Sequence, residues 1–421
     1  LPRPDQQDSS PQARLRREHA RAILRAITSQ VAVSRTQLAE DHGLSSQSIG
    51  RIVRDLLDDG LIEETDIARP AGPGAPRIGL RVRPDGAFAF GFGLERDLLT
   101  GVLLDFEGNL RWEMTRGTPR GESAISTLHR IERDVRSVLD SPDWSDRRAR
   151  ICGLGIATPG PIDLTTGTII GAPNFPSWQH VDVAEELGRT VNLPVVIDNA
   201  ATAAAIGTKW QTRRGSKPFI YCYWGLGIGG GLIIDDEAYR GTTGNSVELG
   251  HVVVAARGHR CDCGGIGCLE AEASASAILR DARQHGSFAS VGDVVAAAAQ
   301  SPPLAAILTE AAEHMAVALI SVVNLLDVDE VVIGGEHFRE VEQVFLPIIT
   351  ERLASRTFRR QISLTKVTVS TLGEAANAIG AATLVFHTRL PAPTPRAASV
   401  ERPTSLAVVR AGRRQPLRSV S

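Results

Sequence analysis

Residues 248–270 read E-L-G-H-V-V-V-A-A-R-G-H-R-C-D-C-G-G-I-G-C-L-E. They set His251, Cys261, Cys263 and Cys268 in the order H-x9-C-x-C-x4-C, with Gly264, Gly265 and Gly267 allowing the backbone to fold the last three sulfurs toward one point. One imidazole and three thiols at this spacing suggest tetrahedral zinc with four protein ligands. Two other readings exist: free cysteines are among the most buried residue types and can be plain core, or two of these can pair. Three of the chain's five cysteines fall between 261 and 268, which speaks against scattered core packing. A Cys-x-Cys pair rarely reaches relaxed disulfide geometry.

Around this stretch lie 421 residues, 43% hydrophobic and 22% charged, the balance of a soluble globular protein too long for one ordinary core. No uninterrupted apolar run reaches the eighteen or so residues that span a membrane. The opening LPRPDQQDSS has no signal-peptide-like apolar segment. These features lead us to expect a cytoplasmic protein with no membrane partner, in a compartment that keeps zinc thiolates reduced. The formal net charge of -2 gives no global sign of nucleic acid, but Arg14, Arg16, Arg17, Arg21 and Arg25 crowd the first helical segment. Such a cluster is more often a solvated helix face than a DNA contact.

Residues 1–12 are polar and expected to be disordered. A helix is expected from Arg14 to Thr28, and a second from Ser34, whose hydroxyl can cap it while Gln37 closes a capping box. After the turn at His42-Gly43-Leu44, a third helix, capped by Ser45 or Ser46, repeats Ile49, Ile52, Val53, Leu56 and Leu57 at helical spacing. Two short helices joined by a glycine turn, the second apolar within and polar without, describe a helix-turn-helix. A plain three-helix module has the same periodicity. The segment C-terminal to the third helix favours the first reading: a strand from Leu61, a basic turn over residues 69–77 and a second strand, Ile78 to Val82, form a wing beside that helix. Residues 13–83 therefore read as a winged helix-turn-helix, with Gln47, Ser48 and Arg51 facing base edges and Arg54 and Arg77 holding phosphate or the minor groove.

Beyond Pro84-Asp85-Gly86, strands alternate with helices, as in α/β folds whose ligands sit at strand ends. Ala87–Leu94 and Leu98–Asp105 pair about a turn at Glu95-Arg96-Asp97, and Ile151–Ala157 runs into T-P-G-P-I-D (158–163). The glycine-rich turn at 224–231 suits either close approach to a phosphate or a tight hairpin. Val331-Val332-Ile333 ends at Gly334-Gly335, and from Arg389 a disordered basic tail is expected.

Together these pieces resemble the ROK family of repressors, open reading frames and sugar kinases. The resemblance runs over residues 14–388 and is carried by Glu248-Leu249-Gly250-His251, by C-x-C-G-x2-G-C-L-E from Cys261, by the 158–163 turn and by Ala172-Pro173-Asn174-Phe175. It implies an actin-like ATPase body of two α/β lobes, one over 84–198 completed by 374–388 and one over 199–373. It also implies a sugar in the cleft and a homodimer or homotetramer. Asn174, Asn199, Glu248, His251 and Glu270 match the family's sugar-contacting positions.

Two positions depart from the kinases of that family. Their D-x-G-G-T phosphate loop corresponds to Gly93, Leu94, Glu95, Arg96 and Asp97, which lack the leading acid and both glycines. Their general base, the aspartate of E-N-D-A-N, corresponds to Ala200, which cannot accept a proton. The expectation is a sugar-responsive regulator, in the first place a repressor of operator DNA, with a structural zinc and no kinase activity. The rival is an ATP-dependent sugar kinase with a fused DNA-binding head.

Overall fold

The computed structural model describes residues 11–66, 78–118, 122–171, 177–213 and 217–390. Helix α1 (Pro11–Thr28) is followed by strand β1 (Val33–Ser34), helices α2 (Arg35–His42) and α3 (Ser46–Asp58), and strands β2 (Ile62–Asp66) and β3 (Ile78–Val82). The three strands form one antiparallel sheet in the order β1-β3-β2. Ile23, Ile27, Leu38, Ile49, Val53 and Leu80 close the core beneath it. α2 starts at Ser34, whose side chain accepts the Gln37 amide N–H, and ends at Gly43, which takes the left-handed conformation a helix C-terminus favours. The reciprocal half of the expected capping box is not made, because the Gln37 side chain donates to Asp41 at 2.8 Å instead. α1 begins at Pro11, so the last two residues of the segment expected to be disordered are helical.

The body contains two five-stranded sheets built on one plan. In the first, β4 (Phe88–Leu94), β5 (Leu98–Asp105) and β6 (Leu110–Gly117) form an antiparallel meander, and β7 (Ile151–Thr158) and β11 (Val195–Asn199) add in parallel, in the order β11-β7-β4-β5-β6. Helix α4 (Ala124–Leu139) precedes β7. Between β7 and β11 lie three two-residue strands, β8 (Ile162–Asp163), β9 (Thr168–Ile169) and β10 (Val181–Asp182), and helix α5 (Val183–Val191). Helix α6 (Ala200–Thr212) then leads into the second sheet.

That sheet repeats the arrangement with β12 (Phe219–Trp224), β13 (Ile228–Ile234), β14 (Glu237–Ala238), β15 (Glu330–Gly334) and β16 (Lys366–Val369), in the order β14-β13-β12-β15-β16. Helices α7 (Leu269–Ala273), α8 (Ala275–Ala282), α9 (Val291–Ala298), α10 (Pro302–Leu326) and α11 (Phe338–Arg356) pack over it, and α12 (Ala376–Arg389) ends the described chain. Arg389, where the basic tail was expected to begin, is thus the last residue of a helix. The glycine-rich turn at 224–231 is the β12–β13 hairpin.

Each sheet lends a helix to the other. α12, which follows the last strand of the second sheet, packs on β4 and β7 so closely that a Cβ on Gly91 or Gly155 would fall about 2 Å from an α12 carbonyl. α6, which follows the last strand of the first sheet, crosses α12 at Gly207 and Gly380 and lies on β13 at Gly231. The cleft therefore opens where α6 begins, between the C-terminal ends of strands from both sheets.

α10 is long and apolar enough to cross a membrane by composition. Glu310, Glu313 and His314 interrupt it, which is why no uninterrupted run reveals it. Leu304, Leu308, Ala311, Met315 and Leu319 bury one face in the second sheet's core, the placement of a core helix.

The arginines of α1 divide by role. Arg25 pairs with Glu237 on β14, and Arg21 donates to the Thr388 carbonyl on α12. These two, grouped in the sequence with a possible DNA-facing cluster, tie the head to the body instead.

Candidate functional site

The cleft holds a cavity of about 140 Å³. Its metal-like corner is set by backbone turns. Gly264 and Gly267 take positive φ of 92° and 70°, and the Cys261 amide donates to the Gly265 carbonyl at 2.9 Å. The 261–268 loop is thereby curled onto the short helical turn that carries His251. The ligand atoms of His251, Cys261, Cys263 and Cys268 all lie within 4.8 Å of one another. Cys263 Sγ is 3.7 Å from Cys268 Sγ, and Cys261 Sγ is 3.7 Å from His251 Nδ1. Thiolates at about 2.3 Å from a tetrahedral metal would stand about 3.8 Å apart, so the donor set fits a metal ion without rearrangement. All five cysteines are free, which removes the disulfide reading.

Beside this corner the cavity is lined by Asn199, Ala200, Glu248, His251 and Glu270. His251 turns Nδ1 to the cysteines, leaving Nε2 for another partner. Glu270 Oε2 accepts the Ile228 amide N–H at 2.9 Å, which anchors the carboxylate to the β12–β13 hairpin. Glu248 sits at the mouth; desolvation raises the pKa of its carboxyl and Glu270 adds to the shift, against the pull of His251. Asn199 caps α6, its Oδ1 accepting from Ala201 N at 2.9 Å. Its amide nitrogen lies near Gly160 in the 158–163 turn. Asn174 and Arg77 lie outside the described residues.

Asp198, the nearest carboxylate in sequence to Ala200, has both oxygens engaged. Oδ2 accepts from Arg240 Nε and Nη2 at 3.1 and 2.7 Å, and Oδ1 from Asn199 N at 2.8 Å. Its burial raises its pKa by more than Arg240 lowers it.

The opposite end of the cavity brings together residues that sequence spacing did not connect. Glu95, from the β4–β5 turn, is 7% exposed and accepts from Asn377 Nδ2 at 2.6 Å. Glu336, directly after β15, and Tyr223 of β12 face it across the cleft. Burial first, and then Glu336, hold the Glu95 carboxyl well above the usual carboxylate range. An aspartate at position 93 would not fit, because its Cβ would meet Thr100 Oγ1 at 2.7 Å and Asn377 Cβ at 3.1 Å. The sequence signal for Glu336 was its place after the Gly334-Gly335 strand end; Asn377 and Arg240 carried none.

On α3, Gln47, Arg51 and Arg54 are exposed, and the two arginines form no ion pair among the described residues. Ser48 is half-buried and its hydroxyl is 2.9 Å from Ser45 Oγ, beside the helix cap. Gly50 lies between them with open space where a side chain would stand.

A match to the ROK family model over residues 109–388 takes in the second sheet, the H-C-C-C corner and the later strands of the first sheet. The chain belongs to the ROK family. A xylose repressor of Caldicellulosiruptor bescii is 29% identical over 393 residues, covering 88% of this chain and 96% of the repressor. A glucokinase of Thermotoga maritima is 30% identical over 300 residues, but covers 67% of this chain and 92% of the kinase. The fold matches a crystal structure of a ROK family transcriptional regulator, described as a homologue of the E. coli MLC protein, with a TM-score of 0.72 at 23% identity, covering 88% of this chain and 96% of that one. The two regulators thus match a larger share of this chain than the kinase does.

Proposed function

We propose that this ROK protein is a sugar-responsive, DNA-binding transcriptional regulator, in the first place a repressor, whose kinase-like body binds a carbohydrate without phosphorylating it. The observation that carries this reading is the state of the cleft. The sugar-facing side keeps Asn199, Glu248, His251 and Glu270, while the position for a general base is Ala200 and the phosphate end holds Glu95 and Glu336. A phosphoryl transfer needs a group to take the hydroxyl proton and cations or amide N–H groups to carry phosphate charge. The carboxyl groups of Glu95 and Glu336 at the phosphate end supply no such charge. Asp198 is no substitute base, being held by Arg240. The similarity to a xylose repressor over most of both chains supports the same reading.

Carboxylates and amides suit sugar recognition because each engages adjacent hydroxyls, and burial makes a missing hydroxyl costly, by about 1–3 kcal/mol per unsatisfied group. We assign His251, Cys261, Cys263 and Cys268 to a structural zinc. Bound there, zinc would have four protein ligands and no open position for water, so it would orient His251 and the loop rather than perform chemistry. His251 Nε2 would then donate to a sugar hydroxyl.

The head (α1 to β3) reads as a winged helix-turn-helix. Gln47, Ser48 and Arg51 would meet base edges, and Arg54 and Arg77 would hold phosphate or reach the minor groove. Operator release requires the sugar to prefer the released conformation. In a homodimer or homotetramer, with half-sites about 34 Å apart or a multiple of it, a modest rotation of the heads would lose one of them.

The test is an operator-release measurement over a panel of pentoses, hexoses and amino sugars, beside an ADP-release assay on the same panel. Release without turnover supports the regulator. Robust sugar-dependent turnover supports the kinase with a fused head, the reading that the glucokinase similarity favours.

A further inference from the structure

The last half of helix α10 is apolar all round, yet only one face of it is covered. From Met315 to Leu326 its twelve residues hold no charge and only two polar side chains, Ser321 and Asn324. A helix apolar on every side is ordinarily enclosed. Here Met315, Leu319 and Val323 are buried, whereas Leu325 is 82% exposed and Val317 and Leu326 are also open. The turn that follows α11 continues the same surface: Phe358 is 87% and Ile362 91% exposed, and Leu364 is open as well. The two segments are clamped together. Phe358 N donates to Asn324 Oδ1 at 2.8 Å, and Arg359 reaches Asp327 at 3.4 Å, Asp329 at 3.3 Å and the Val328 carbonyl at 2.8 Å. These bonds make the end of α10 and the turn after α11 one apolar patch.

We propose that this patch is where two copies of the chain join, through a two-fold interface centred on Leu325, Phe358 and Ile362. On a scale of about 150–250 Å² for a fully exposed large apolar side chain, the open parts of these residues come to roughly 700 Å². That exceeds the largest patch of an ordinary monomer, about 300–600 Å², and approaches the about 800 Å² that each partner commits to a standard interface. The surrounding charges favour a second copy over a charged partner. Arg359 is balanced by Asp327 and Asp329, Lys217 pairs with Asp329 at 3.5 Å and Lys366 with Glu330 at 3.7 Å, and Arg360 turns back to the Thr357 carbonyl. A two-fold interface sets one surface against itself, which an apolar centre with internally engaged charges allows without like-charge repulsion. The position fits as well. Residues 327–329 lead into the N-terminal end of β15, whereas the cleft opens at C-terminal strand ends, so a partner here leaves the cleft free. Arg213, at the end of α6, donates to the Gln30 carbonyl of the head, and Lys217, at the start of β12, pairs with Asp329. The patch thus adjoins the side of the body that holds the head, as two heads on one operator require.

This inference rests on the homo-oligomer of the reading above, and sedimentation velocity on the full-length protein separates the two. We expect the parent to sediment as a dimer or tetramer at micromolar concentration. Phe358→Glu and Ile362→Glu should each halve that mass or weaken self-association by about thirtyfold or more, with the far-UV circular dichroism unchanged. Both side chains are exposed, so either variant serves should the other fold poorly. Ile125→Glu, at an exposed apolar residue of α4 in the first lobe, should leave the mass as it is. A parent that stays fully oligomeric in both patch variants would overturn this face and leave the homo-oligomer intact, as would equal dissociation by Ile125→Glu. A monomeric parent would overturn both. Self-association through Phe358 that appears only in a chain ended at Leu390 would assign the patch to residues 391–421 of the same chain instead. Binding of the parent to phosphatidylcholine–phosphatidylglycerol vesicles that is lost in Phe358→Glu would assign it to a membrane surface, and either result would overturn the joining of two copies here.

Discussion

Arg240→Ala is expected to destabilise the protein in a pH-dependent way, because it strips the partner from a carboxylate that cannot reach water. The Asp198 side chain is 2% exposed and that of Arg240 31%, so the pair is desolvated on one side only. Removing one member of a buried pair costs about 3–5 kcal/mol. The retained Asn199 N–H bond and the partial exposure of Arg240 place the expected loss at about 3 kcal/mol near pH 8. The carboxyl has an escape, which is to take up a proton. Its pKa in the folded protein is already raised by burial, and without Arg240 it rises further above the unfolded value. A group with a raised folded pKa contributes stability that is present below the unfolded pKa and lost as pH climbs through the folded one. The deficit of the variant should therefore shrink on acidification, by at most about 1.4 kcal/mol per pH unit. Urea midpoints of variant and parent, followed by tryptophan fluorescence at pH 5.5 and pH 8, measure this; comparison of matched transitions is needed in a chain with several cores. The double variant Asp198→Asn with Arg240→Met should recover much of the loss, since it removes the charge as well as its partner. A deficit below about 1 kcal/mol at pH 8, or one that is equal at the two pH values, would refute a buried, partner-dependent Asp198 charge.

Cys263→Ser should lower bound zinc, measured by atomic emission, and sugar affinity together; sugar affinity unchanged with the metal gone would break the proposed link through His251. Arg51→Ala should weaken operator binding by about 1–3 kcal/mol and relax specificity at one base pair, with sugar affinity intact by calorimetry. Loss of both activities would point to misfolding instead. Ala200→Asp should not create a kinase in an ADP-release assay, because Glu95 and Glu336 still occupy the phosphate end and Thr100 and Asn377 close the position beside Gly93. Turnover in that single variant would contradict this view of the cleft.

What could be read from the chain alone was local. The repeat of Ile49, Ile52, Val53 and Leu56 placed a helix, the pairing of 87–94 with 98–105 placed a hairpin, and H-x9-C-x-C-x4-C placed four ligands in one corner, since a few glycines between close neighbours leave little freedom. The absence of an acid at position 200 was legible for the same reason. Spacing says nothing about partners hundreds of residues apart. Glu95 meets Glu336 and Asn377 only because the two sheets exchange helices α6 and α12 and bring three strand or helix ends to one cleft. Arg21 and Arg25 looked like part of a basic face until β14 and α12 supplied their partners. Composition and periodicity determined the elements and the metal-like corner; the close crossing of small residues at Gly207 and Gly380 decided which charges are buried together, and burial is what sets their chemistry.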